Sequence, residues 1–128
     1  MLCDDAYFGL FYDDDTAVES LFAMLADRHP LLTAVKLDGA TKEDFVWGFR
    51  VGFITVSTRV TGGMEDAFYE AVEKKLGGTV RSNISNAPSV SQAILLHAMQ
   101  DDRYKAEKAE RSGALKNRAL MVSIYSST

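Results

Sequence analysis

The chain has little of what marks an exported, membrane-bound or polyanion-binding protein. Its one cysteine, Cys3, excludes an internal disulfide and fits a reducing compartment. No apolar run reaches membrane-spanning length, and the opening residues, MLCDDAY, carry acid where a secretory signal carries base. A formal charge of −4 and a pI near 5.1 supply no basic excess for nucleic acid or an anionic membrane surface. The expected setting is the cytoplasm, with no nucleic-acid or membrane partner. CxxC, HExxH, Walker-type and GxSxG patterns are missing, as are internal repeats and low-complexity stretches. The acids Asp13–Asp15 lack the spaced oxygen ligands and turn glycine of a hard-cation loop, so no metal is expected.

What is present suits one soluble domain: 128 residues, 47% apolar and 25% charged. Leu2 and Cys3 read as the tail of a buried strand. Thr16 and Glu19 spell a capping box for a helix bearing Val18, Leu21, Phe22 and Leu25, stopped at Pro30. Leu31–Leu37 and Phe49–Val56 read as strands, and strand–helix–strand order predicts a parallel α/β unit. A helix follows the Gly62–Gly63 turn, with Met64, Ala67, Phe68, Ala71, Val72 and Leu76 as its core face and Gly77–Gly78 as its end. Residues 79–89 read as a polar loop holding Arg81, Asn83, Ser85 and Asn86. Ser89 and Gln92 form a second capping box before AILLHAM, apolar nearly all round and expected buried, with His97 a satisfied core histidine. From Asp101 to about Val122 a long charged surface helix is expected, with pairs Asp101–Lys105 and Glu107–Arg111.

The chemistry concentrates in Leu37–Thr55, LDGATKEDFVWGFRVGFIT. Asp4 and Lys42 each lie just past the carboxyl end of an expected strand, the edge where open α/β sheets bind ligands. A lysine there is a candidate nucleophile or Schiff-base former, against the plain alternative of a solvated loop lysine. Arg50, read as lying within a strand between Gly48 and Gly52, is expensive to bury unpaired and calls for an anion. A phosphorylated aromatic aldehyde would use Asp4, Tyr7, Lys42 and Arg50 together: carboxylate to ring nitrogen, phenol to ring oxygen, amine to aldehyde, guanidinium to phosphate.

In this order, D-x-A-Y at Asp4–Tyr7, T-K-x7-R-x-G at Thr41–Gly52 and S-N-x-P at Ser85–Pro88 resemble the class I/II aminotransferases, fold-type I pyridoxal-phosphate enzymes. The resemblance implies that Lys42 forms the Schiff base with pyridoxal 5'-phosphate and moves a proton at the substrate α-carbon. It further implies that Asp4 pairs with the pyridinium nitrogen, Tyr7 with the 3′ oxygen, and Arg50 with the phosphate. Ser85 and Asn86 match a motif that approaches the phosphate of a neighbouring subunit, and Arg81 a position that pairs with a substrate side-chain carboxylate. The family's usual serine three residues before the lysine is Gly39 here, leaving Thr41 as the nearest hydroxyl.

The fold so implied is α/β: part of the large cofactor-binding domain, a mostly parallel sheet with flanking helices over residues 1–100 and a long connecting helix over 101–128, leading toward a small domain. The resemblance spans about the middle third of a full-length member. The family's phosphate loop and ring-stacking aromatic would precede residue 1, and its carboxylate-binding arginine would follow Thr128. The expectation is therefore a fragment of a homodimeric aminotransferase acting between an amino acid and a 2-oxo acid. The alternatives are an inactive remnant, or a lyase or decarboxylase on the same fold.

Overall fold

The computed structural model describes residues 1–13, 15–16 and 18–126. Strands β1 (Leu2–Asp4), β2 (Thr33–Gly39) and β3 (Gly52–Thr58) form one sheet in that order. Helix α1 (Leu21–Leu25) connects β1 to β2, which pair in parallel with Leu2 opposite Val35 and Asp4 opposite Leu37. Helix α2 (Ala40–Glu43) follows β2, and β3 returns antiparallel with Gly39 opposite Gly52 and Thr33 opposite Thr58. The sheet is thus mixed rather than mostly parallel. Residues 40–51 hold one helical turn and two residues of positive φ, Phe45 and Arg50, which reverse the chain instead of carrying it across the sheet face.

Helices α3 (Glu65–Ile84), α4 (Ser89–Met99) and α5 (Tyr104–Ser126) complete the chain. Several sequence expectations shift. The cap of α1 is Ser20, whose hydroxyl accepts from the Phe22 amide at 3.1 Å, so Thr16–Glu19 is no capping box. Helix α1 ends at Ala26, before the left-handed Asp27, rather than at Pro30. Helix α3 runs straight through Gly77–Gly78. Each helical glycine costs only about 1 kcal/mol, less than a long hydrogen-bonded helix can carry, and the real stop is Ser85 at φ +68. Arg81 consequently lies in helix, not loop. Ser89 sits inside α4 behind Pro88, which has no side-chain capping bond.

The buried apolar residues among those described are few: Cys3, Ala34, Ala40, Val51 and Leu95. Ala40, Val51 and Leu95 cluster, with Val46 and Phe49 packed against them. The expected core faces of α3 and α4 are open, for Met64, Ile94 and Leu96 are exposed and α3 buries nothing fully. His97 is exposed as well, not a core histidine. The chain presents 9649 Å² to solvent, about 2,900 Å² more than the roughly 6,700 Å² expected of a compact monomer of this mass. Helix α5 starts at Tyr104 rather than Asp101, and of the expected ion pairs Asp101, ahead of the helix, instead takes Arg103, which also lies 3.9 Å from Glu107. No helix among the described residues is long and apolar enough to cross a membrane.

Candidate functional site

The carboxyl edge of β1 and β2 carries the site. Asp4 closes β1, and its Oδ1 accepts the Ala6 amide at 3.2 Å, an Asx turn that bends the chain off the sheet. The turn brings Tyr7 back over α2, where the Lys42 Nζ lies 4.9 Å from the Tyr7 ring centroid, a cation–π contact. Phe8 follows beneath Lys36 at 5.5 Å. On the other side, the β2–β3 reversal delivers Arg50 to the same edge. An open cleft of about 210 Å³ is lined by Asp4, Thr41, Arg50, Asp38, Gly39 and neighbouring backbone.

Arg50 is not the buried strand arginine expected. It precedes β3, is exposed, and holds φ +54. The apolar run is anchored by Val51 instead, so the guanidinium leaves the core without a desolvation cost. Arg50 shares the cleft with Asp4 and Asp38 but forms no ion pair or hydrogen bond through its side chain among the described residues. Its left-handed backbone is a conformation that non-glycine residues hold at a cost of about 1–2 kcal/mol, and such strain persists where surrounding structure imposes it.

Gly39 explains itself sterically. A Cβ there would stand 2.8 Å from the Val51 carbonyl oxygen and 3.1 Å from the Gly52 Cα, both backbone. The closeness of β3 leaves no room for a serine, and the hydroxyl available to the cleft is that of Thr41.

Asp38 also faces the cleft, and nothing in the sequence pattern singled it out. One of its carboxylate oxygens pairs with Lys36, whose ammonium is held above its ordinary value by that hydrogen bond. The other, Oδ1, is buried and has no hydrogen-bond partner among the described residues. Its signal was its place at the same strand edge, in L-D-G four residues before Lys42.

Arg81, Ser85 and Asn86 do not line this cleft. They gather at the end of α3, where the Arg81 guanidinium donates to the Ser85 hydroxyl at 2.8 Å. Thus Asp4, Tyr7, Thr41, Lys42 and Arg50 are assembled at one edge, and the other three stand apart. No cluster of three or more metal-ligating side chains occurs among the described residues.

Residues 1–125 match the sequence profile of the family described as aminotransferase class I and II. The chain belongs to that family. No curated protein matches it. Class I and II aminotransferases are generally pyridoxal-phosphate enzymes acting on amino and 2-oxo acids, often as dimers. The cleft's donor set fits such a group, because an unpaired guanidinium and a hydroxyl suit its phosphate and a strand-end carboxylate suits a ring nitrogen.

Proposed function

We propose that this aminotransferase-family chain carries the lysine side of a pyridoxal-phosphate transamination site, transferring an amino group between an amino acid and a 2-oxo acid. The convergence of Asp4, Thr41 and Arg50 on one cleft, with Lys42 beside it on the Tyr7 ring, is the observation that supports the reading. Arg50 and Thr41 would hold the phosphate, and Asp4 the ring nitrogen. Tyr7 would hydrogen-bond the 3′ oxygen and restrain the Lys42 side chain. The cofactor, when bound, supplies the electron sink that makes the substrate's α-proton removable. Lys42 would hold the cofactor covalently, and its freed amine would then carry that proton. Arg81 would meet a substrate carboxylate, and Ser85 and Asn86 a neighbouring subunit's phosphate.

The chain alone is inactive in this reading. A cleft of about 210 Å³ falls below the roughly 300–1,000 Å³ of a complete small-molecule pocket, so further walls must close it. The surplus exposed area is of the order of an obligate interface, roughly 2,000–5,000 Å², which supports a homodimer as the working state, and the single cysteine supports a reducing, cytoplasmic setting.

Incubation with pyridoxal phosphate, borohydride reduction and peptide mapping should place the added mass on the Lys42 peptide. The Lys42→Ala protein should lose that label while Lys36→Ala and Lys108→Ala keep it, and label spread evenly over the lysines would refute the assignment. Transfer of an isotopically labelled amino group to 2-oxoglutarate by the full assembly separates transamination from lyase or decarboxylase chemistry.

A further inference from the structure

A second cavity, larger than the strand-edge cleft, opens on the other side of the β2–β3 reversal. It measures about 470 Å³, inside the roughly 300–1,000 Å³ range of small-molecule sites. Its floor is apolar: Val46 and Phe49 from the reversal, Leu95 and Ala98 from α4, and Leu115 from α5. The exposed Trp47, the chain's single tryptophan, stands at its wall.

The charges around this cavity fall into two groups. Asp44 accepts from the Tyr104 hydroxyl and from Lys108 at 3.2 Å, and Lys108 also reaches Glu43 at 3.0 Å. Glu107 lies 3.9 Å from Arg103. Asp44 is therefore already satisfied from within the protein, whereas the exposed Glu107 keeps only that long contact. Arg111 and Arg118 are different, since both line the cavity, both are exposed, and neither has an anionic partner among the described residues. Seven residues apart on α5, they share one face two turns apart, about 10 Å along the axis. The cavity thus presents an apolar floor beside two guanidinium forks that form no ion pair among the described residues.

We propose that this cavity is a binding site, separate from the strand-edge cleft, for a small carboxylate with an arylalkyl or branched alkyl body. The body fills the floor beside Trp47 and Leu95, and the carboxylate is taken by Arg111 or Arg118, whose planar forks suit it bidentately. A neutral amide of the same shape keeps one acceptor oxygen but loses the charge and the second acceptor of the bidentate pair. Charge therefore decides the site's selectivity, and shape decides only its capacity.

Trp47 supplies the readout. The full chain is titrated with 4-phenylbutyrate and with its neutral amide, following Trp47 emission and, by calorimetry, stoichiometry. The expected result is saturable one-to-one binding of the carboxylate, at least about tenfold tighter than the amide, as loss of a charge-assisted pair implies. Arg111→Gln with Arg118→Gln should erase that preference, Ala98→Phe should fill the floor and weaken both ligands without adding a second tryptophan, and Arg28→Gln should change nothing. Far-UV circular dichroism confirms the helices of each variant. Equal affinity for the two ligands, non-saturable binding, or an intact preference in the double variant would overturn the proposal. So would Trp47 emission that follows protein concentration and ignores the ligand, because a second copy of the chain would then fill the cavity.

Discussion

Lys42 and Lys108 sit on opposite sides of the same short reversal, residues 40–51, and their surroundings differ completely. Lys108 is enclosed by oxygen: Glu43, Asp44 and the Tyr104 phenol all lie within 3.3 Å. Burial alone would pull its ammonium down, but those three hydrogen bonds outweigh it and hold the lysine above its ordinary value. Lys42 touches only a ring face in the contacts described, and Arg50, in the cleft nearby in sequence, likewise forms no ion pair among the described residues. The difference teaches how to separate structure from function in one segment. Charges that the protein has neutralised internally hold α5 to α2, while charges left over are available to a ligand.

The largest expected effect tests the free side. Replacing Arg50 with Ala should weaken pyridoxal phosphate by roughly 10- to 100-fold, the value of a charge-assisted hydrogen-bonding pair at about 1.5–3 kcal/mol. Pyridoxal without its phosphate should be affected far less. Fluorescence or dialysis titration of both compounds measures the contrast, and equal losses would mean that Arg50 meets no phosphate.

The paired side should show up as stability. Lys108→Met leaves the Asp44 carboxylate, 5% exposed, without its cation, and should cost about 1–3 kcal/mol in urea unfolding while leaving the Lys42 label intact. The pH dependence has a definite sign. Lys108 and Tyr104 are both raised in the folded protein, the phenol by burial and by its bond to Asp44. Their contribution is full below the unfolded values near pH 10 and declines as pH rises through the folded ones. Alkaline unfolding should therefore steepen above about pH 10, and Tyr104→Phe should remove part of that steepening.

Gly39→Ser asks whether the family's usual serine was lost by drift or excluded by packing. With only 2.8 Å between a Cβ at this position and the Val51 carbonyl oxygen, the substitution should destabilise by about 1–3 kcal/mol, as overpacking does, and should not tighten phosphate binding. Arg50→Gly goes the other way. It frees a φ of +54 and should gain up to about 1 kcal/mol in thermal unfolding, less the glycine's added freedom when unfolded, while losing the phosphate contact as Ala does. Stability and binding would then move in opposite directions at one position.

These contrasts also show what could be read from residues alone. Apart from the single turn of α2 that carries Lys42, the order of strands and helices was readable because turn glycines and alternating apolar runs are local signals, as was the placing of Asp4 and Lys42 at strand ends. The exposure of Arg50 was not, because a left-handed residue before β3 turns on long-range pairing of Gly39 with Gly52. The passage of α3 through two glycines escaped for a related reason, since local stop signals are weak beside helix cooperativity. The open faces of α3 and α4 look like core by period alone, and period cannot say what, if anything, covers a face.

The smallest expected effect lies at a paired charge on the surface. Asp101 is held down to about 2 by hydrogen bonds from the Arg103 side chain and backbone, just ahead of α5. A lowered carboxylate contributes above its unfolded value near pH 4 and loses that contribution as pH falls toward about 2. Because the pair is exposed and screened by water and salt, the contribution is slight. Asp101→Asn should therefore leave the neutral-pH melting temperature nearly unchanged and reduce only the acid dependence of α5 amide exchange between those limits. Were the substitution instead to loosen the Asp44–Lys108 seam at neutral pH, the start of α5 would belong to the paired side of the molecule, and the division drawn between Lys42 and Lys108 would have to extend to the helix end.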